Sequence, residues 1–271
     1  MHVNKTTLGV DDVLSTYTDE WVALLSRGVT AVTVPELSAG LGVTPRAARE
    51  AIRRAKAKGW LFSPVRGLYV IVPPEYHSWG VVPGERFIDA AMRHAGVDYY
   101  VGYLSAAAHH GARHQAAQVF QVVADRRIRD REVGGLRIAY YHTAAIDPAG
   151  VETVRGEHGR WRVSTAEATL MDLLERPDRG GGRGNVLTIA SALPLDAARL
   201  ARAAERRGPA AARRAGWSLQ RVGSRLDLEV LRSVAKVGAG PATPADPRAH
   251  PIGRVDRRWW IDENAEAEPD T

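Results

Sequence analysis

Between Thr44 and Trp60 the chain reads TPRAAREAIRRAKAKGW, holding Arg46, Arg49, Arg53, Arg54, Lys56 and Lys58 against a single acid, Glu50. A guanidinium fork matches the paired oxygens of a phosphate and the O6/N7 edge of guanine. A solvated helix normally mixes both signs, because like charges three and four residues apart repel. At about 100° per residue, Ala48, Ala51, Ile52 and Ala55 fall on one side of a helix, and Arg46, Arg49, Arg53 and Lys56 fall opposite. The alanines allow close packing, and the cations form an outward stripe.

Three other stretches carry chemistry-bearing residues. HHGARH offers His109, His110 and His114, the last two at a metal-binding spacing, but Gly111 interrupts the helix and no third ligand is indicated. RGGGRGN (179–185) lacks the Lys-Ser/Thr that follows the last glycine of a phosphate-cradling loop. VGSRLDLEV sets Gly223 and Ser224 beside Asp227 and Glu229, a set that resembles the triphosphate and magnesium elements of nucleotidyltransferases. In those enzymes about a helix separates the two elements, so that they face each other; two residues separate them here. No metal, cofactor or catalytic residue is expected.

Elements that position the stripe can be read around it. DEWVALLSRG places Trp21, Leu24 and Leu25 on one helical face, with Gly28 after the end. Pro35 opens a short second helix, stopped at Gly40–Gly42. Thr44 caps a third helix, with Pro45 in its first position. WLFSPV and GLYVIV then read as a hairpin around Pro64–Gly67. Helix, helix, helix and hairpin in this order predict a winged helix-turn-helix, which lays its third helix in a DNA major groove. Arg46 and Arg49, near the start of that helix, are the candidates for guanine contacts. Thr44, Arg53, Arg54 and Lys56 are placed for phosphates, and Arg66 for the tip of the wing.

The fold class expected is α+β: an N-terminal winged helix-turn-helix followed by a larger mixed α/β C-terminal domain. The boundaries expected are an arm at 1–18, the DNA-binding domain at 19–72, a proline- and glycine-rich connection at 73–85, the C-terminal domain at 86–262 and an acidic disordered tail at 263–271. In the C-terminal domain QVFQVVAD and LRIAYYHT read as strands joined by a charged turn, RRIRDREVGG. STAEATLMDLLE reads as a helix boxed by Ser164 and Glu167, with Leu170, Met171, Leu173 and Leu174 buried.

Composition sets outer limits. The chain has 271 residues, no cysteine and a formal charge of +6. Without the terminal acids Asp262, Glu263, Glu266, Glu268 and Asp270 the remainder stands near +11, which favours polyanionic partners. Disulfides and thiolate metal sites are excluded. No apolar run approaches a membrane span and no leader is visible, so a cytoplasmic protein without a membrane partner is expected.

Four segments, VTVPELSAGLGVTPRAAREAIRRAKAKGWLFSPVRGLYVI, YLSAAAHHG, WRVSTAEATLMDLLE and DPRAHPIGRVDRRWWIDEN, follow one another in an order similar to that of AbiEi-type (type IV) antitoxins. The resemblance spans residues 19 to 264. It implies a toxin–antitoxin protein of phage-defence type, not an enzyme, that neutralises a nucleotidyltransferase-like toxin. It also implies repression of the shared operon through double-stranded operator DNA, with DNA binding carried by Arg46, Arg49 and Arg53. Two rivals stand beside it. One is a winged-helix transcription factor that senses a small ligand. The other is a DNA-targeted nucleic-acid-processing enzyme, which carboxylates converging with His142 or Lys236 in a C-terminal cleft would favour.

Overall fold

A computed structural model of the chain describes residues 20–112, 119–156 and 159–265. The expected arm, His114 and the acids Glu266, Glu268 and Asp270 lie outside the described residues. The chain divides into two compact units, one of residues 1–97 with 129–138 and the other of 98–128 with 139–271. The first thus continues through the stretch expected as a connection, in which Val81, Val82 and Gly84 are buried.

In the first unit residues 20–26 form helix α1, followed by β1 (Ala31–Val32), α2 (Val34–Leu41), α3 (Pro45–Ala57), β2 (Leu61–Phe62), β3 (Tyr69–Ile71) and α4 (Ile88–Ala95). The three strands pair antiparallel in the order β1-β3-β2, with Val70 opposite both Ala31 and Phe62. Trp21, Leu24, Val32, Leu37, Ala48, Ile52, Ala55, Leu61 and Ile71 make one core. Helix α2 starts one residue before Pro35. Thr33 caps it, accepting from the Glu36 amide, while Glu36 accepts from the Thr33 amide at 2.7 Å. This box closes α2 against β1, and Gly42, at φ 63°, ends it.

The second unit contains β4 (Tyr99–Val101), α5 (Tyr103–His109), β5 (Val119–Ala124), β8 (Val151–Gly156), β9 (Gly159–Ser164), α6 (Ala166–Glu175), α7 (Arg183–Ala192), α8 (Ala197–Arg207), α9 (Pro209–Arg221) and α10 (Arg232–Ala235). In its mixed sheet β4 pairs antiparallel with β5 and parallel with β9, and β8 pairs antiparallel with β9. The turn expected between two strands contains one itself, β6 (Arg131–Val133), hairpinned to the start of β7 (Leu136–His142). That hairpin is part of the first unit.

Leu170, Met171, Leu173 and Leu174 of α6 are buried as expected, but its cap is not. Thr165 accepts from the Ala168 amide instead, and the Ser164 hydroxyl bonds Thr169 at 2.7 Å. Glu167 is turned inward, where the Asp196 amide and Arg199 bond it, so it cannot reach back to a cap.

Three short strands, β10 (Thr243–Pro244), β11 (Val255–Asp256) and β12 (Ile261–Asp262), close the chain over α9. Trp259 lies so close to α9 that a Cβ on Gly216 would sit 2.2 Å from its ring. Asp262, counted above with the acidic end, is buried and accepts from the Ile252 and Gly253 amides. Glu263 pairs with Arg221 and Arg254. Neither belongs to a solvated tail.

Candidate nucleic-acid interface

Helix α3 begins where Thr44, in extended conformation, accepts from the Ala47 amide at 3.2 Å, and Pro45 fixes the first turn. Ala48, Ala51, Ile52 and Ala55 are its buried residues, the set that periodicity predicted. Arg46, Arg49, Arg53 and Lys56 are exposed on the other side, and Arg66 is exposed at the tip between β2 and β3. The stripe from Arg46 to Lys56 is about 15 Å long at 1.5 Å per residue.

The cations differ in what they touch. Arg53 forks onto Glu50, at 3.0 Å from Nε and 2.6 Å from the terminal nitrogen. That bond holds the Glu50 carboxyl below its usual range. Arg54 lies on the flank of the stripe, half-buried and 3.4 Å from Glu50. Arg46, Arg49 and Lys56 form no ion pair among the described residues. The two arginines nearest the start of α3 therefore present unsatisfied forks, while Arg53 and Arg54 share one acid.

The hairpin tip is braced. Gly67 has φ 88°, and a side chain there would press on His94, whose ring nitrogen lies 3.1 Å from the Arg66 carbonyl. Beside it a groove of about 640 Å³ is bordered by Lys56, Arg66, Tyr69, Arg131 and Glu132. Arg131 is a further cation on this surface that sequence reasoning did not place. Its only signal was membership of a charged run read as a turn.

The other chemical stretches resolve into local structure. Ser224 and Asp227 accept amides two residues on, and Glu229 faces Arg232 and Arg258, so no paired-carboxylate site forms there. His109, His110 and Glu152 come within 4.8 Å of one another, but His110 Nε2 already lies 2.7 Å from the Ser164 carbonyl oxygen. His142 does line a cleft of the second unit with Asp147, Asp172 and Glu175, whereas Lys236 does not. The placement set out for the enzyme rival is met by one residue. Each of those acids, however, is held by an arginine: Asp147 by Arg206, Asp172 and Glu175 by Arg207.

Residues 100–221 match the model of the AbiEi antitoxin C-terminal domain, so the chain carries a segment similar to that domain. The matched domain supports an antitoxin of a toxin–antitoxin system, which implies a toxin as partner. Among solved structures it is similar to the RV2827C protein from Mycobacterium tuberculosis, with a TM-score of 0.64 and 17% identity over 91% of this chain and 90% of that one. That likeness is one of fold. No curated protein matches the sequence. No helix among the described residues is long and apolar enough to cross a membrane.

Proposed function

We propose that the chain is an antitoxin that also represses its own operon. Its first unit acts as a winged helix-turn-helix on double-stranded operator DNA. The toxin it neutralises is nucleotidyltransferase-like, and the pair serves phage defence in the cytoplasm. The observation that carries the DNA reading is α3 itself, with an alanine seam buried and Arg46, Arg49, Arg53 and Lys56 exposed beside a hairpin that bears Arg66. In such a domain the start of the third helix meets base edges, so Arg46 and Arg49 read sequence. Arg53, Lys56, Arg66 and the Thr44 hydroxyl take phosphates, and Arg54 supports them from the flank.

The test keeps the chain whole. Arg46→Ala with Arg49→Ala is expected to cost about 1–3 kcal/mol per base contact on the operator, less on random duplex, and to release a reporter placed behind the operator. The same variant, co-expressed with the toxin gene of its operon, is expected to restore growth as the parent does. Equal losses on both DNAs would make these arginines phosphate contacts. Undiminished repression would remove the DNA reading, and lost rescue by a folded variant would place α3 in neutralisation.

One observation favours the ligand-sensing rival. The second unit has a polar cleft of about 410 Å³, within the range of small-molecule sites.

A further inference from the structure

The cleft is organised around Arg179 and Tyr103. Arg179 donates to the Tyr103 hydroxyl, and its guanidinium lies 4.1 Å from the centre of the Tyr141 ring and 5.0 Å from that of Tyr103. Its Nε is buried and has no hydrogen-bond partner among the described residues. The other arginines of the network are matched by acids: Arg176 and Arg248 by Asp178, Arg206 by Asp147, and Arg207 by Asp172 and Glu175. Among the described residues Arg179 alone in this network faces rings and a phenol instead of a carboxylate. A half-buried guanidinium that lines the cleft and is matched by no carboxylate favours an anion, whose paired oxygens fit its fork.

The backbone here is built for that arrangement. Tyr103 sits at φ 51°, in the left-handed region that bulky residues seldom occupy. A buried glutamine holds it there: Gln121 accepts from the Leu104 amide at 2.7 Å, while its own amide group donates to the Arg179 carbonyl at 3.0 Å and reaches the Tyr141 hydroxyl at 3.4 Å. Gly102 just before it leaves no room for a side chain, since a Cβ there would lie 3.0 Å from Val123 and 3.1 Å from the Tyr100 ring. Strain kept by so many partners marks a position whose geometry is used. Burial pushes the Tyr103 phenol up to about 12, so it keeps its proton. Its oxygen accepts from Arg179, and as a protonated phenol on the cleft wall it can also donate to a bound group.

We infer that this cleft binds the oxyanion group of a small molecule, a phosphate or a carboxylate, with Arg179 as the fork and Tyr103 as the neutral donor. The residues of the site belong to the second unit, and the proposal does not depend on the repressor reading. Calorimetry on the full chain at constant ionic strength, with inorganic phosphate in one arm and acetate in the other, is the test. The parent protein is expected to bind at least one of them, and the tighter arm names the group. Arg179→Gln and Tyr103→Phe are each expected to weaken that binding about tenfold or more, as loss of a hydrogen bond to a charged group does. Arg46→Ala with Arg49→Ala is expected to leave it unchanged, which separates this cleft from anions held at the α3 stripe. Should Arg179→Gln fail to fold, Tyr103→Phe, which keeps the ring, decides. No heat from either anion with the parent, or unchanged affinity in folded cleft variants, would overturn the proposal.

Discussion

An arginine's worth depends on what already holds it, and this chain shows three states of the same side chain. Arg46 and Arg49 point outward without an acid and keep their forks for a partner. Arg213 is buried, and donates to the carbonyls of Ala235, Lys236, Ala239 and Pro241 and to the Thr243 hydroxyl, tying the loop after α10 to α9. Arg176 forks onto both oxygens of Asp178 at 3.0 and 2.9 Å, with Arg248 adding a bond at 2.9 Å. The Arg176 hydrogen bonds, then the two positive charges, bring the Asp178 carboxyl down to about 2 from the usual 3.8. A folded-state value below the unfolded one gives stability that is complete above the unfolded value and is lost as pH falls through the folded one. The parent is therefore expected to lose stability between about pH 4 and about pH 2 in part through this residue. Asp178→Asn should flatten that portion of an acid denaturation curve, by about 1 kcal/mol or less for a pair open to solvent. An identical curve in the variant would show that the pair adds nothing.

At the scale of elements, α3 was legible because everything that defines it is local. Cap, proline, alanine seam and cationic stripe all lie within one segment, and one period sorts them. Thr33 to Glu36 has the same cap-box spacing as Ser164 to Glu167, the pair read from the sequence, yet only one of the two boxes forms. The first closes because Glu36 is exposed at the helix start; the second fails because Glu167 is buried against Arg199. The cleft was illegible for a related reason. Its bonds join residues 17, 58 and 76 positions apart, a pairing that only the folded sheet and helices create. Two expectations belong here. Glu50→Gln should free Arg53, tighten binding to any duplex and steepen its salt dependence by up to about 1 in slope. Unchanged binding would mean that Arg53 does not meet a phosphate. Gly216→Ala should force Trp259 off α9 and cost about 1–3 kcal/mol, read as a fall in the unfolding midpoint. No fall would show that the closing strands shift freely.

At the scale of the molecule, the two units carry different kinds of warrant. The second matches an antitoxin domain over residues 100–221 and so brings a toxin with it. Apart from residues 129–138 the first lies outside that match, and its role rests on charge and geometry. Its role is the account's central claim, and the salt dependence of duplex binding by the full chain tests it most directly. Neutralising roughly six phosphates with α3 and the hairpin gives a slope of log K against log salt of about −5. A slope near that value, made shallower by Arg46→Ala with Arg49→Ala, is the result expected. A slope near zero in protein that still neutralises its toxin would contradict DNA binding as the work of this unit.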